Sequence, residues 1–411
     1  VGALGGGSVA CGERACVEAT RAARAALAGE SPEMTSGSGR SVAMVVYNDL
    51  VHDARVHKEA RTLLEAGYAV HVVGMRTAAT PALAGWEGIP ATRLDVGSSP
   101  SLRVRYARFW NAAYRWLMRE RPDAIHAHDL DALPPCWLAA ALRGVPLVHD
   151  AHELWVELPS LVGRRVIRGV WSAIARTLIP RCDAVITVAD GIAQEMARRY
   201  GVAPVVVRNL PPRGEPPAPQ PLREKLGCAA DAPLLIYQGG LLPGLGVDRA
   251  IAIMEHLPGA HLVIIGGGPL GDALRQQAAQ SPASGRITFL PPVPFGELAA
   301  FTAAADVGLF LGESEGLNLR LALPNKLFEY IAAGVPVVAV DWPETGRLVR
   351  RYDVGRLVPP GSSPEVAAET IREVLAARAA LAENCRRAAE ELVWENEAVR
   401  LVRCYEELPW A

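Results

Sequence analysis

From Ser41 onward, short apolar runs alternate with segments of helical period. "SVAMVVY" (41–47) is apolar and β-branched, "ARVHKEARTLLEAG" (54–67) repeats its apolar positions at helical spacing and stops at Gly67, and "YAVHVVGM" (68–75) is the next strand. Further runs follow at "DAIHAH" (123–128), "PLVHDAH" (146–152), "DAVITVA" (183–189) and "PVVVRN" (204–209), each set off by a helical pattern. Nearly continuous apolar strands are covered on both faces, and strands separated by helices pair in parallel. Residues 41–210 are therefore expected to form one doubly wound α/β domain.

The proline-rich stretch "NLPPRGEPPAPQP" (209–221) can continue neither a helix nor a central strand and reads as a linker, centred on 211–221. The alternation then restarts with "PLLIYQGG" (233–240), "AHLVIIGGGP" (260–269), "RITFL" (286–290), "DVGLFLG" (306–312), "PVVAV" (336–340) and "GRLVPP" (355–360). A second Rossmann-like domain is expected over 222–390, followed by a terminal helical segment, 391–411. Open parallel sheets bind ligands beyond the carboxyl ends of their strands, so the cleft between two such domains is the expected site.

Composition narrows the function. Half of the 411 residues are apolar, enough for two cores, and the 42 basic and 44 acidic residues leave a formal net charge of −2. No electrostatic footprint for nucleic acid exists at that balance. The seven cysteines form no CxxC pair and no metal-ligand spacing, which suits reduced thiols in a cytoplasmic protein without structural zinc. Residues 1–40 are Gly/Ala/Ser-rich and are expected to be a disordered extension, with Met34 the simpler start. No apolar run reaches the ~18 residues of a membrane span, which leaves contact with a membrane surface open. The stretch 101–121, "SLRVRYARFWNAAYRWLMRER", reads as a cover helix with an arginine-bearing solvent face, and the chain shows no clear basic amphipathic helix for a lipid-linked acceptor.

The chemistry concentrates in "LPNKLFEYIAAGVPVV" (323–338). Pro324 suits a first helical turn, where its missing N–H costs nothing. Asn325 and Lys326 in that turn would join an amide and an ammonium to free backbone N–H groups, an arrangement suited to phosphate. Glu329 follows one turn later on the same face and can accept from the vicinal hydroxyls of a ribose. The plainer reading is an amphipathic helix with a solvated charged face.

In its order and spacing this segment resembles the signature of retaining GT-B glycosyltransferases that use nucleotide-sugars, in particular family 4. Similar pieces run from Val42 to the last helix: "PDAIHAHDLDALP", "VHDAHELW", "CDAVITVADGIAQEM", "YQGGLLPGLGVDRAI", "VIIGGGP" and "AAADVGLFLGESEGLN". The resemblance implies two Rossmann-like domains facing a cleft, with acceptor held by the first, donor by the second, and a last helix that crosses back to the first. It gives Glu329 the donor ribose. The family's first glutamate falls on Leu321, and Glu315-Gly316-Leu317 resembles the usual Glu-Gly-Phe at a longer spacing from Glu329. Gly316 and Asn318 are expected near the transferred sugar. The family's Arg and Lys diphosphate clamp falls on Gly240 and Leu245, which leaves Arg320, Asn325 and Lys326 to hold the phosphates. Gly239, Gly240, Gly266, Gly267 and Gly268 are expected to let the chain pass close to the donor.

His152 matches a family histidine beneath the transferred sugar and, with Lys326 and Glu329, completes the expected catalytic set. His128, Glu153, Asp53 and Arg55 are expected on the acceptor side. The plainer alternatives are a helix cap at Asp53 and a surface arginine at Arg55. His126 and His149 read as core or supporting groups. Asp129 and Asp131 imitate the Asp-x-Asp metal motif of the other glycosyltransferase fold, and no metal is expected. Gly266, Gly268 and Gly271 satisfy GxGxxG, but the strand after them ends without an acidic residue, against an NAD enzyme. The implied activity is transfer from an NDP-sugar, with UDP the commonest base, to a small-molecule or glycan acceptor in natural-product or polysaccharide synthesis, without a cofactor. A GT-B sugar-nucleotide epimerase and an inactive nucleotide-sugar-binding protein are the alternatives.

Overall fold

Seven parallel strands form the first sheet: β1 (Ser41–Val45), β2 (Ala69–Arg76), β3 (Ala91–Asp95), β4 (Ala124–His128), β5 (Leu147–Ala151), β6 (Ala184–Thr187) and β7 (Val205–Val206). Their order is β3-β2-β1-β4-β5-β6-β7, so the winding reverses between β1 and β4. Helices α1 (Ala54–Glu65), α2 (Leu102–Glu120), α3 (Asp129–Arg143), α4 (Arg165–Leu178) and α5 (Asp190–Tyr200) make the connections. Every residue of β4 and β5 is buried, including His126, His128, His149 and Asp150, as strands covered on both faces require. Strand β3, "ATRLD", has no apolar run and escaped the sequence reading; it pairs with β2 at the sheet edge, where half-exposed polar side chains are tolerated. The computed structural model describes residues 39–410 apart from 52, 78, 79, 81, 82, 84, 216, 314 and 315, so the expectations for 1–38 and for Glu315 lie outside the described residues.

The second sheet has six parallel strands, β8 (Leu234–Gln238), β9 (His261–Ile265), β10 (Ile287–Leu290), β11 (Val307–Phe310), β12 (Val337–Val340) and β13 (Gly355–Val358), in the order β10-β9-β8-β11-β12-β13. Its reversal lies between β8 and β11. The helices are α6 (Leu222–Lys225), α7 (Val247–Ile253), α8 (Gly271–Gln280), α9 (Phe295–Thr302), α10 (Leu317–Leu321), α11 (Asn325–Ala332), α12 (Pro343–Tyr352), α13 (Pro364–Ala376) and α14 (Arg378–Glu391). The last helix, α15 (Trp394–Glu406), returns to the first domain. Its Trp394, Leu401, Cys404 and Tyr405 join the core that contains Val42, Met44 and Val72. Leu401 is fully buried there, worth about 1.5–3 kcal/mol relative to exposure.

The two domains touch beyond their carboxyl strand ends. The Leu154 N–H, just past β5, donates to Asn318 Oδ1 of α10 at 2.7 Å. Glu344 of α12 presses on the start of α5, where a Cβ on Gly191 would stand 2.9 Å from Glu344 Oε1, and Arg347 lies 3.7 Å from Asp190. Among the described residues no helix is long and apolar enough to cross a membrane.

Candidate active site

Helix α11 is pinned across the reversal of the second sheet by Tyr330. Its ring lies against Gly308 of β11, where a Cβ would be 2.4 Å from the ring, and its hydroxyl accepts from Gln238 N at 3.3 Å. Glu329, the residue before Tyr330, and Lys326, one turn nearer the helix start, are thereby carried to the carboxyl end of β8. Gln238 Nε2 donates to Glu329 Oε2, and Gln238 Oε1 accepts from Thr302 Oγ1 at 2.7 Å. Burial raises the Glu329 carboxyl, while the Gln238 bond, Lys326 and Lys58 of the first domain pull it down.

Lys326 follows Asn325 and the capping Pro324, so its own N–H and that of Asn325 open the helix. Its Nζ is buried, has no hydrogen-bond partner among the described residues, and sits 3.8 Å from the centroid of the Tyr237 ring. A Cβ on Gly239 would be 3.4 Å from that nitrogen. Burial without an acceptor pushes the Lys326 ammonium down to about 7, against the pull of Glu329. An ammonium that rests on a ring but lacks a hydrogen-bond acceptor among the described residues, at a helix N-terminus and beside a glycine, is arranged to meet an anion.

The glycines of the two loops at the carboxyl ends of β8 and β9 also meet each other. Gly266 (φ +151°) and Gly268 (φ +157°) lie against the neighbouring loop, where Cβ atoms would stand 1.9 Å from Gly239 O and 2.5 Å from Leu241 O. Leu241 N donates to Gly267 O at 2.9 Å, and Tyr237 Oη donates to Gly240 O at 3.0 Å. The two loops are stitched to each other, and that close contact is what requires the glycines.

Across the cleft, His152 stands at the end of β5. Nε2 donates to Asp150 Oδ2 at 3.0 Å, Nδ1 is 3.5 Å from Asp129 Oδ2, and the His152 N–H donates to Asp129 Oδ1 at 3.0 Å. Burial alone would lower its pKa, but Asp129 and Asp150 raise it to about 10, so His152 is an imidazolium at neutral pH. Asp129 adopts φ +60° at the junction of β4 and α3, an uncommon conformation for a residue other than glycine. Glu153 faces the cleft, where desolvation by its walls and the charge of Asp129 raise its carboxyl to about 7.

Two expected acceptor contacts, Arg55 and His128, are corrected, and the other expected residues take definite places. Arg55 is neither a surface arginine nor on the acceptor wall: it is 3% exposed and forks onto Asp150 through Nε and Nη2, each at 2.8 Å, while Nη1 donates to Val207 O. His128 is fully buried beneath His152, with Nδ1 3.1 Å from His152 Nε2. Asp53 caps α1, accepting from Val56 N at 3.0 Å and from Asn48 Nδ2 at 2.6 Å. Asn318 spends its carbonyl oxygen on Leu154, and Arg320 is exposed with its guanidinium 5.1 Å from the Trp342 ring centroid. Asn325 is exposed at the start of α11, and Gly316 is buried at the start of α10. The Asp-x-Asp pair splits, for Asp131 is buried and accepts from Tyr106 Oη at 3.4 Å.

Glu59, His126, His128 and Asp150 each bring one ligand atom within 4.8 Å of the others, a set whose composition suits a divalent metal. Arg55 already supplies the cation, with Nη2 2.9 Å from Glu59 Oε1 and 2.8 Å from Asp150 Oδ1. The group is a buried ion-pair core that fixes Asp150 under His152. Asp150, Gln238, Thr302 and Tyr237 were not singled out from sequence; the one local signal was Gln238, a polar residue ending an otherwise apolar strand. A cavity of about 310 Å³, lined by Trp137, Leu147, Arg181 and Pro409, opens at the amino-terminal side of the first sheet, away from these groups.

Comparison with known proteins agrees with the two-domain fold. The model described as Glycosyltransferase Family 4 matches residues 54–211, and that described as Glycosyl transferases group 1 matches 220–392. D-inositol 3-phosphate glycosyltransferase of Stackebrandtia nassauensis is 30% identical over 340 residues, covering 75% of this chain and 73% of its own. Its namesake in Geodermatophilus obscurus is 28% identical over 405 residues, covering 91% and 87%. Among solved structures, sucrose-phosphate synthase of Thermosynechococcus elongatus superposes with a TM-score of 0.76 at 19% identity, covering 90% of this chain and 98% of its own. Anabaena HepE in complex with UDP-glucose gives 0.73 at 17% identity, covering 90% and 100%. With both halves matched in order and the GT-B architecture shared, the chain belongs to the family 4 glycosyltransferases and is a glycosyltransferase.

Proposed function

We propose that the protein transfers a sugar from a uridine diphosphate sugar to a small-molecule or glycan acceptor with retention of anomeric configuration. The observation that carries the donor side is the buried Lys326 Nζ at the start of α11, beside Gly239 and without a hydrogen-bond partner among the described residues. A diphosphate placed there meets the free N–H groups, the dipole and one cation, which together replace the clamp missing at Gly240 and Leu245. Glu329, oriented by Gln238, is positioned to hold the ribose hydroxyls. The UDP-glucose bound by HepE supports uridine as the base.

On this reading the chemistry runs on one face of the sugar. The bond from the anomeric carbon to the β-phosphate oxygen breaks, an oxocarbenium-like sugar forms, and the acceptor oxygen bonds to that carbon as its proton passes to the departing phosphate. The protein supplies position and fixed charge. His152, with Nε2 held by Asp150, has its Nδ1–H, 3.5 Å from Asp129 Oδ2, to turn to one sugar oxygen, and Lys326 meets charge growing on the diphosphate.

The test is calorimetric titration with UDP, GDP, dTDP and NAD, together with turnover of the matching sugar nucleotide. UDP is expected to bind best, and Lys326→Ala and Glu329→Ala each to lower kcat/KM by at least ~10²-fold, comparable to losing one transition-state donor. Nucleotide binding indifferent to both substitutions would reject the site. Donor consumption without transfer to any acceptor would favour an epimerase.

A further inference from the structure

Residues 162–170, which lead into α4 and form its first turns, contain no buried side chain. Four of them are large and apolar: Val166 is 81% exposed, Val170 56%, Val162 43% and Ile167 37%. The start of α2 adds Leu102 at 48% and Val104 at 39%. The two helix starts are neighbours, because Tyr106 of α2 and Trp171 of α4 pack with ring centroids 5.6 Å apart. Leu102 and Ile167 lie one turn before these aromatics on the same helix faces.

The charge of this surface has one sign. Neither 101–119 nor 162–178 contains an acidic residue, whereas Arg103, Arg164 and Arg165 are exposed and form no ion pair among the described residues. Arg168 is held by Glu157. Both helices follow parallel strands, so their starts lie on the carboxyl side of the sheet, the side that carries His152. A second copy is a poor occupant, since two-fold pairing of this face would set arginine against arginine with no acid to separate them. Apolar side chains ringed by unpaired arginines match the interface of an anionic bilayer, where acyl chains take the valines and headgroups take the guanidinium groups.

We propose that the starts of α2 and α4 form a docking surface for an anionic lipid membrane and seat the cleft mouth against it. The docking does not depend on the donor site; that a lipid-carried acceptor would then enter the cleft rests on the glycosyl-transfer reading.

The experiment is co-sedimentation of the full chain with phosphatidylcholine vesicles and with vesicles containing phosphatidylglycerol. Wild type is compared with Val166→Asp/Val170→Asp and Arg164→Glu/Arg165→Glu, after circular dichroism and melting temperature have shown both variants folded. Wild type is expected to bind the anionic vesicles in a salt-sensitive way, with affinity reduced about 30-fold or more by removing two arginines. The aspartate pair is expected to abolish binding. No affinity for the anionic vesicles, binding that ignores both double variants, or a solution dimer that the aspartate pair dissociates would overturn the proposal. UDP titration of the same variants reads the donor site separately.

Discussion

Arg55 grips Asp150 through two parallel hydrogen bonds of 2.8 Å, and the gripped carboxylate accepts from His152 Nε2 at 3.0 Å. The guanidinium sets the Asp150 charge in place, and its carboxyl lies well below the ordinary range although burial opposes this. An anion that cannot turn or readily take up a proton keeps the histidine above it charged.

Asp150→Asn should therefore lower the His152 pKa from about 10 towards or below its ordinary value, because burial then acts with less opposition. Since the folded pKa is raised, the stability from this contact is fully present below about 6.5 and is lost as pH rises through about 10. The variant should lose that window, and the alkaline limb of kcat/KM should move towards neutrality. Imidazole titration by NMR checks this directly; a His152 titration unchanged in the variant would mean that Asp150 does not set its charge.

Donor affinity should depend on pH through Lys326. With the empty-site pKa near 7, binding a diphosphate must protonate the amine at higher pH, so affinity falls as pH rises through 7 and protons are taken up. Calorimetry in two buffers of different ionisation enthalpy measures the uptake. Lys58, also lowered to about 7 by burial and by Arg55, donates to Leu210 O and acts on Glu329 from the first domain, so it is the competing source of proton uptake. Lys326→Ala should remove most of the dependence on pH above 7, whereas Lys58→Ala should remove only the smaller part that reaches the site through Glu329.

Much of the architecture was legible because both sheets are covered on two faces, so β1, β8, β11 and β12 appear as apolar runs with helices between them. Strand β3 was invisible for the opposite reason: an edge strand with one neighbour has no need of such a run. The site was less legible. "ARVHKEA" reads locally as a surface helix, and nothing near Arg55 announces Asp150, its partner 95 residues away. His128 carried the same ambiguity, since a histidine at a strand end can face either the cleft or the core. The exposed start of α4 was missed because helical period alone does not say whether a neighbour covers its apolar face.

Gln238 should prove a positioning residue. Its amide joins Thr302 to Glu329, and Gln238→Ala would release the carboxylate without touching the phosphate end of the site. Loss of a buried hydrogen bond to a charged group is worth about 1.5–3 kcal/mol, so donor KM should rise roughly 10- to 100-fold with a much smaller change in kcat. Thr302→Val should do the same more weakly. Equal loss in kcat and kcat/KM would instead place Gln238 in the transition state.

The returning helix α15 is a test of how far the first domain depends on the chain's end. Trp394 Nε1 donates to Thr62 Oγ1 at 2.9 Å, and Tyr405 Oη shares a 2.6 Å hydrogen bond with His126 Nδ1. Trp394→Ala removes both a hydrogen bond and a large packed side chain and should cost about 3–5 kcal/mol. Tyr405→Phe keeps the ring and strips the hydroxyl, leaving His126 unpaired, for about 1–3 kcal/mol. Urea unfolding followed by far-ultraviolet circular dichroism gives both values. Because the donor groups stand on α11 and β8, UDP affinity should stay within about twofold in each variant, as expected for independent sites. A parallel loss of UDP binding would show that α15 also sets the angle between the domains.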